Sequence, residues 1–314
     1  MKTRITELLG IEYPIFQGAM ANISTGAFAA AVSETGALGI ISAAARTPEE
    51  LEAEIHTCRS LTGNPFGINI VLQPLDSIRP LINVMIRENI KIVVTSAGNP
   101  VPWIPVLKEA GMTVIPVVAA PRQAVKAEKA GADAIIAEGS ESGGHIGDAA
   151  TFPLLSSVVR SVSIPVAAAG GIADGRGLAG ALIMGADAVQ CGTAFIATKE
   201  CPVPAVYKET IIKADVTDTI TTGYICRDVV RSLKTPLSIR MADFEMKNYI
   251  PQQLLAMGTG ALRRAAMDGN WEEGSFQAGQ SAGLVDKIVS CRERVESIMQ
   301  EAYTVFLERS SLFK

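Results

Sequence analysis

The chain has 314 residues, with 28 basic and 32 acidic side chains and a formal net charge of −4. This length suits one large α/β barrel or two ordinary domains, and a content of 48% hydrophobic and 19% charged residues excludes a disordered chain. The slight negative charge and the 5% aromatic content argue against nucleic acid or an acidic membrane surface as a partner.

The longest uncharged run, residues 13–33, contains Pro14 and Gly18, so it does not predict a membrane span. Glu7 and Glu12 would interrupt the apolar core of a signal peptide. The five cysteines are odd in number, widely scattered and without CxxC or CxxH spacing. This pattern predicts reduced thiols, no metal site and a cytoplasmic location.

Short runs rich in β-branched residues recur along the first 200 residues, with starts about 20 to 30 residues apart. They are almost continuously apolar, which is typical of parallel strands that are buried on both faces. The predicted strands are 14–17, 38–42, 66–71, 92–95, 113–117, 134–138, 165–168 and 188–191. The predicted helices between them are 26–33, 48–59, 77–87, 123–130, 153–162 and 177–184.

A local repeat supports this alternation of helices and strands. The phrases AGADA at 130–134 and MGADA at 184–188 are almost the same, and AGMT at 110–113 is a looser copy. Each places a glycine where a helix ends and a strand begins, as a left-handed helix cap requires. Eight such units predict a (β/α)8 TIM barrel, with an open doubly wound sheet as the alternative.

The pattern changes after residue 198. Helical stretches are predicted at 207–214, 251–268 and 291–308, with no clear series of strands. We therefore predict a helical lid subdomain at 200–273 that covers the catalytic face. The TIM barrel itself would then comprise residues 1–199 and 274–314.

Two glycine-bearing turns follow the last two predicted barrel strands. The first, AGGIADG, contains Gly170 and Gly171, and the second, QCGT, contains Gly192 and Thr193. Phosphate binds in the corresponding loops of TIM barrels, where glycine lets backbone N–H groups approach it closely. Tight turns without a ligand are the alternative, but their occurrence at both positions favours a phosphate site.

The sixth predicted strand runs into EGSESGGHIG, residues 138–147, which holds four glycines and His145. A histidine on a mobile, glycine-flanked loop at a barrel mouth can act as an acid or a base near neutral pH. A histidine that only orders the loop is the alternative, and the neighbouring phosphate turns favour a catalytic role. His56 lies in a helical surface pattern and is interpreted as structural.

Two further side chains have open interpretations. Asn69 lies inside an apolar strand, where it would either clamp two loops or bind a ligand, and the clamp is favoured. Met20 follows the first strand and would form an apolar wall of the site or part of the core. The sequence has no GxGxxG after a strand with a following acid, and no GxxxxGK[ST], HExxH or GxSxG motif.

With these motifs, the chain resembles the nitronate monooxygenase superfamily and, within it, the FMN-dependent enoyl-acyl-carrier-protein reductase II branch. The resemblance covers nearly the whole chain. Its motifs are PIFQGAMA (14–21), GINI (67–70), AEG (137–139), SGGHIG (142–147), AAGGIA (168–173), QCGT (190–193), GTGAL (258–262) and GSFQAGQSAGL (274–284).

The resemblance implies a TIM barrel that binds FMN. The residues implied as cofactor-binding are Gly170, Gly171, Gly192 and Thr193 at the phosphate, and Ala19, Met20, Asn69, Glu138, Ser142, Gly143, Gln190 and Gln280 around the rest of the flavin. His145 matches the catalytic histidine of the family. The first motif often reads Gly-Gly-Met-Ala-Trp in the family, whereas here an amide, Asn22, replaces the aromatic residue. This departure bears on the substrate more than on FMN.

The leading hypothesis is the NAD(P)H-dependent reduction of a 2-enoyl thioester carried by an acyl-carrier protein, as in fatty-acid synthesis. The second is the oxidation of alkyl nitronates by O₂, with His145 as the base. A barrel isomerase or aldolase without flavin is disfavoured because no lysine lies inside a predicted strand of the second half of the barrel. A non-catalytic flavin carrier has no positive sequence feature. The resemblance also leaves a homodimer and a monovalent cation open.

Overall fold

A ring of eight parallel strands forms the centre of the chain in a computed structural model, which describes residues 1–72, 75–247, 249–310 and 312. The strands in chain order are β1 (Ile15–Gln17), β2 (Gly39–Ser42), β3 (Phe66–Val71), β4 (Ile92–Ser96), β5 (Thr113–Val118), β6 (Ile135–Glu138), β7 (Gly144–His145), β8 (Val166–Ala169), β9 (Ala188–Cys191), β10 (Thr219–Thr222) and β11 (Val230–Leu233). The spatial order is β1-β9-β8-β6-β5-β4-β3-β2, and a bridge between Phe16 and Leu38 returns β2 to β1. The predicted TIM barrel is therefore confirmed.

Helices surround the ring and continue into the predicted lid, residues 200–273. They are α1 (Arg4–Leu9), α2 (Gly26–Ser33), α3 (Pro48–Leu61), α4 (Leu75–Arg87), α5 (Ile104–Glu109), α6 (Pro121–Lys129), α7 (Thr151–Ser161), α8 (Gly175–Ile183), α9 (Thr193–Ile196), α10 (Ala205–Lys213), α11 (Pro236–Lys247), α12 (Pro251–Gly258), α13 (Ala261–Ala266) and α14 (Cys291–Ser310). Two 3₁₀ turns span Tyr224–Cys226 and Gln280–Leu284. No helix among the described residues is long and apolar enough to cross a membrane.

Alternation along the strands separates two layers of core. On β4, Ile92 and Val94 belong to the cluster inside the barrel, whereas Val93 packs toward the surrounding helices. Ile5 and Leu9 of α1 join the inner cluster. The barrel interior is therefore a packed core, which leaves the loops at the carboxyl ends of the strands to form a site.

The helix–glycine–strand repeat has the backbone conformation that its sequence predicts. Gly111, Gly131 and Gly185 have φ values of +77°, +100° and +98°, at the points where α5, α6 and α8 give way to the next strand. An L side chain is strained in this region, so glycine is the residue that ends each helix there. The eight predicted barrel strands agree with the structure to within one residue at either end.

The prediction that residues 200–273 are helical is partly wrong. This segment contains the antiparallel hairpin β10–β11, and β11 pairs with β7 to form a second, three-stranded sheet. Each hairpin strand has only four residues and is half-buried, so neither produces a clear periodic signal. The single helix predicted at 251–268 is two helices, because the chain turns at Gly260, where φ is +70°.

The closing helix α14 packs against α8, the helix that follows the Gly170-Gly171 turn. The two helices approach each other closely at Gly175, whose backbone N–H donates to the side-chain Oε2 of Glu301 at 2.8 Å. A Cβ at Gly175 would lie 2.2 Å from the backbone nitrogen of Ala302. Helix α14 is therefore in direct contact with the element that leads away from the predicted phosphate turn.

Candidate active site

A cavity of about 570 Å³ lies at the carboxyl ends of the barrel strands, where TIM-barrel enzymes place their sites. Twelve of the thirteen predicted site residues line it: Ala19, Met20, Asn69, Glu138, Ser142, Gly143, His145, Gly170, Gly171, Gln190, Gly192 and Thr193. Gln280 does not line the cavity, and its N–H donates to the carbonyl of Glu141 at 2.9 Å. In the segment 274–284, which returns to the barrel and is called the returning segment below, Gln277 and Ser281 line the cavity.

The two glycine turns form part of the wall of this cavity. Gly170 and Gly171 have φ values of +96° and +74°. A Cβ at Gly170 would lie 2.9 Å from both the carbonyl oxygen of Gly139 and Oγ1 of Thr151, so a side chain is excluded there. A Cβ at Gly192 would have Sδ of Met20 as its nearest atom, at 3.9 Å, so a side chain there would project into the cavity.

These residues fit the FMN expected from the resemblance. Among the described residues, the N–H groups of Gly171 and Gly192 donate no backbone hydrogen bond, so they can bind phosphate oxygens. Thr193 Oγ1 accepts the N–H of Gly279 at 3.0 Å, which leaves its hydroxyl proton to donate. No lysine or arginine lies among the described residues that line the cavity, so a phosphate would be bound by backbone and hydroxyl groups.

Asn69 forms the clamp that its sequence favoured. Its side chain exchanges hydrogen bonds with Ser96, with Nδ2 3.1 Å from the serine Oγ and Oδ1 3.2 Å from it. Because Ser96 ends β4 and Asn69 lies on β3, this pair clamps neighbouring strand ends. Asn69 also lines the cavity, so a contact with a ligand remains a prediction.

Glu138, the last residue of β6, has an unusual environment for a carboxylate. Burial raises the pKa of its carboxyl to about 7, while a hydrogen bond with the side chain of Ser142 opposes the shift. Ser142 Oγ lies 2.9 Å from the carbonyl oxygen of Gly139. Near neutral pH the Glu138 carboxyl can therefore either donate or accept a hydrogen bond at the cavity wall.

His145 lies on an ordered strand rather than on the mobile loop that the sequence suggested. Gly144 and His145 form β7 and pair with Arg231 and Val230 of β11. The glycines around His145 suggested a mobile loop. The strand pairing was not predicted because its partner, β11, is far away in the chain.

The side chain of His145 is paired as well. Its Nε2 lies 3.1 Å from Oδ1 of Asp228, and both side chains are more than half exposed. Asp228 is held at the base of the hairpin turn, where its N–H donates to the carbonyl of Gly223 at 3.1 Å. The sequence analysis did not identify Asp228, because no motif surrounds it and its partner is far away in the chain. The arrangement can orient the imidazole and balance a positive charge on it.

Tyr207 is another cavity residue that the sequence analysis did not identify. The hydroxyl of Tyr207 donates to the carbonyl of Gln277 at 2.9 Å, and its ring packs against Phe276 with centroids 4.5 Å apart. Burial raises the pKa of the Tyr207 phenol, so it stays protonated and keeps this hydrogen bond. Gly143 lies against the backbone of Ala278, 2.6 Å from where its Cβ would be. These contacts fix the returning segment to the cavity.

His56 lies on the outer surface of the barrel, on α3, away from the cavity. Its Nε2 is 3.3 Å from Oε2 of Glu88, and Glu52, His56 and Glu88 each place one ligand atom within 4.8 Å of the others. Both carboxylates are already paired with arginines, Glu88 with Arg59 at 2.6 Å and Glu52 with Arg87 at 2.9 Å. The group is therefore a charge-balanced surface network, in agreement with a structural role for His56.

The chain matches the model of a known protein family and is similar to solved structures over almost its whole length. The model of the family described as nitronate monooxygenase matches residues 2–301. The structure of FabK from Thermotoga maritima superposes with a TM-score of 0.96 at 47% identity, covering 99% of both chains. A nitroalkane oxidase from Streptomyces ansochromogenes gives a TM-score of 0.84 at 28% identity, covering 99% of this chain and 100% of that one.

Two sequence relatives add to these similarities. A (3aS,4S,5R,7aS)-5-hydroxy-7a-methyl-1-oxo-octahydro-1H-indene-4-carboxyl-CoA dehydrogenase of Mycobacterium tuberculosis is 35% identical over 99% of both chains. A probable nitronate monooxygenase of Staphylococcus aureus is 32% identical over 90% of this chain and 92% of its own.

Proposed function

The chain belongs to the nitronate monooxygenase family and is a flavin-dependent oxidoreductase, and from this premise we propose that it is an FMN-dependent enoyl-acyl-carrier-protein reductase driven by NAD(P)H. The observation that carries the proposal is the likeness to FabK, an enoyl-acyl-carrier-protein reductase II, along the whole of both chains. A thioester substrate is also supported by the relative that is named for a carboxyl-CoA compound.

In this proposal each part of the cavity has a chemical role. The N–H groups of Gly171 and Gly192 and the hydroxyl of Thr193 hold the FMN phosphate, while Ala19 and Met20 form an apolar wall. When bound, FMN supplies the transfer of a hydride from NAD(P)H to the β-carbon of the enoyl group.

His145 delivers the proton that completes the reduction at the α-carbon, and Asp228 orients its imidazole at 3.1 Å. The products are then the saturated acyl thioester and NAD(P)⁺. The residues 200–273 act as the lid, since Asp228 and Leu262 of this segment line the cavity. A homodimer and a dependence on a monovalent cation remain predictions.

A second candidate function is nitronate oxidation by O₂, with His145 removing a proton from the substrate. It is favoured by the family match and by the relative from Staphylococcus aureus. The difference between the two functions lies in the reductant, because a reductase must accept hydride from a nicotinamide cofactor and the monooxygenase takes its electrons from the nitronate.

The deciding experiment is anaerobic mixing of the purified yellow protein with NADH or NADPH, followed by a 2-enoyl thioester. We expect the flavin absorbance to bleach with one of the two nucleotides and to return when the thioester is added. Bleaching by an alkyl nitronate but by neither nucleotide would instead identify a monooxygenase. A colourless protein that binds no FMN would contradict both functions.

A further inference from the structure

Gln277 of the returning segment lines the active-site cavity together with His145, and both residues also line a second cavity of about 440 Å³. Oε1 of Gln277 lies 3.1 Å from the position that a Cβ of Gly144 would take, and Gly144 directly precedes His145 on β7. The side-chain amide of Gln277 is therefore adjacent to the short strand that carries the histidine.

Contacts on both sides of Gln277 fix its main chain. The hydroxyl of Tyr207 donates to its carbonyl at 2.9 Å, and its N–H donates to the carbonyl of Ser275 at 3.0 Å. The next residue, Ala278, lies so close to Gly143 that a Cβ there would be 2.6 Å from the Ala278 carbonyl carbon. The side chain of Gln277 therefore starts from a fixed point, which lowers the entropy cost of holding its amide in one place.

The side-chain amide of Gln277 is uncommitted. It is half-buried and has no hydrogen-bond partner among the residues that the structure describes, although both backbone groups of Gln277 are bonded. An amide offers two N–H donors and one carbonyl acceptor, and partial burial without a partner is unfavourable for all of them. The amide of Gln277 is thus available to a ligand in the cavity.

The other residues that line both cavities cannot offer such a neutral donor. Among the described residues they are Leu262, which is apolar, and His145 and Asp228, whose side chains are paired with each other at 3.1 Å. Gln277 is therefore the one member of this group with a free side-chain N–H.

The proposed reduction needs a donor at this place. When a hydride adds to the β-carbon of a 2-enoyl thioester, the π electrons of the double bond form a bond between the α-carbon and the carbonyl carbon. The carbonyl oxygen then carries the negative charge of an enolate, until a proton from His145 reaches the α-carbon and the carbonyl forms again. Because this oxygen is only two bonds from the α-carbon, a group that stabilises its charge must lie near His145.

We propose that Nε2 of Gln277 donates a hydrogen bond to the thioester carbonyl oxygen of the substrate and stabilises the enolate. This inference rests on the proposed reductase function and adds a catalytic residue to it. A half-turn of the amide exchanges Oε1 and Nε2, so the donor can take the position beside Gly144 that the oxygen occupies. A hydrogen bond from a preorganised donor strengthens as charge develops on the oxygen, so it lowers the barrier as well as the energy of the bound substrate.

The first test replaces the amide by an apolar group of similar length. In Gln277→Met, stopped-flow reduction of the 2-butenoyl thioester of N-acetylcysteamine by the reduced, FMN-loaded protein should slow by about 10² to 10³, the usual loss of one oxyanion donor. Reduction of the flavin by NAD(P)H should stay within about threefold of the parent, because no enolate forms in that half-reaction.

Gln280→Met is the matched control. Gln280 is an equally half-buried amide of the same segment, but it lines neither cavity. Its N–H bond to the carbonyl of Glu141 belongs to the main chain and survives the substitution. Both half-reactions should therefore stay unchanged in this variant.

Gln277→Glu is the second variant, and it keeps the size and polarity of the side chain if methionine disturbs the fold. An ionised carboxylate has no proton to donate and repels an enolate, whereas a protonated carboxyl donates. Relative to the parent at each pH, enoyl reduction by Gln277→Glu should be slow at about pH 8 and recover as the pH falls toward about 5, where a half-buried carboxyl takes up a proton. The ratio for Gln277→Met should not change with pH.

Three outcomes would overturn the inference while the parent reduces the thioester. They are enoyl reduction by Gln277→Met within about threefold of the parent, a Gln277→Glu variant without recovery at low pH, and equal slowing of both half-reactions. The last result would place the amide on the carboxamide of the nicotinamide. A parent that bleaches with NAD(P)H but reduces no enoyl thioester would instead reject the proposed function, and this inference with it.

Discussion

His145 lines the cavity of the candidate active site, and its Nε2 is 3.1 Å from the carboxylate of Asp228. Replacing it by alanine should leave FMN bound, because the phosphate turns belong to other strands. Turnover with an enoyl thioester should fall by about 10² to 10⁴, the usual effect of losing a positioned acid or base. Stopped-flow measurement of the two half-reactions should show that flavin reduction by NAD(P)H is slowed much less than enoyl reduction.

His56→Ala is the matched control for this prediction, since His56 lies in an ion-pair network on the outer surface. It should leave both half-reactions unchanged. Equal slowing of the two half-reactions in His145→Ala would instead assign His145 to nicotinamide positioning. A His145→Ala variant within about threefold of the parent in turnover would make His145 structural, because the acid–base loss would be absent.

Glu138 gives the flavin-free protein a specific dependence of stability on pH. Its folded pKa of about 7 lies above the ordinary glutamate value of 4.5 because the carboxyl is buried. Below pH 4.5 the group is protonated in both states. As the pH rises toward and through 7, the folded protein must bury a charge that the unfolded chain exposes to water, so stability is lost.

The neutral variant Glu138→Gln should therefore be more stable than the parent above pH 8, by up to about 3 kcal/mol, and no more stable at about pH 3, well below the ordinary glutamate pKa. Urea unfolding of both flavin-free proteins at these two pH values measures the difference. All other titrating groups are common to both proteins and cancel. An equal difference at both pH values would show that the amide acts through packing rather than through the charge.

At the scale of elements, the turn between β8 and α8 contains Gly171, for which a phosphate-binding role is proposed. Gly171 has a φ of +74°, and a Cβ there would lie 3.4 Å from the Cβ of Glu141. Gly171→Asp should yield colourless protein, because the new carboxylate would crowd and repel a phosphate. Flavin absorbance per mole of purified protein measures the loss.

Gly111→Asp controls for backbone strain in this experiment. Gly111 has nearly the same φ, +77°, and nothing lies within 4 Å of its Cβ. It precedes β5 at the amino ends of the strands, on the side of the barrel opposite the cavity. This variant should keep its FMN, whereas full FMN retention by Gly171→Asp would reject the phosphate site.

At the scale of the whole molecule, the packing of α14 against α8 should support the predicted phosphate turn, because α8 follows that turn. Gly175→Leu would place a Cβ 2.2 Å from the backbone nitrogen of Ala302 and force the two helices apart. We expect a loss of about 3 kcal/mol or more in the free energy of unfolding, together with weaker FMN binding. Urea unfolding and flavin titration measure the two effects.

Gly180→Leu lies on the same helix but in open space, and it should raise the free energy of unfolding by about 0.5 to 1 kcal/mol, because leucine favours a helix more than glycine does. Equal stability of the two variants would mean that α14 does not press on α8 at Gly175. A Gly175→Leu protein that is destabilised but binds FMN normally would limit the coupling to stability.

Local sequence determined the barrel and most of its mouth. The resemblance to a known family supplied most of the thirteen predicted site residues, of which twelve line the cavity. The eight strands and the glycines that end α5, α6 and α8 were evident in short local motifs. These features depend on interactions between residues that are close in the chain, such as a left-handed glycine cap or a buried run of β-branched side chains. Neighbouring residues carry that information, so a single sequence is sufficient to read it.

Only the tertiary structure decided which distant residues complete the site. Asp228 reaches His145 because β11 pairs with β7, and Gln277 rather than Gln280 faces the cavity because the returning segment packs on Gly143. Leu237 of α11 and Leu254 of α12 line a second cavity, which shares His145 and Asp228 with the first. Such contacts depend on how separately folded elements pack together. The hairpin strands that create them have only four residues each and are half-buried, so no clear periodic pattern in the sequence reveals them.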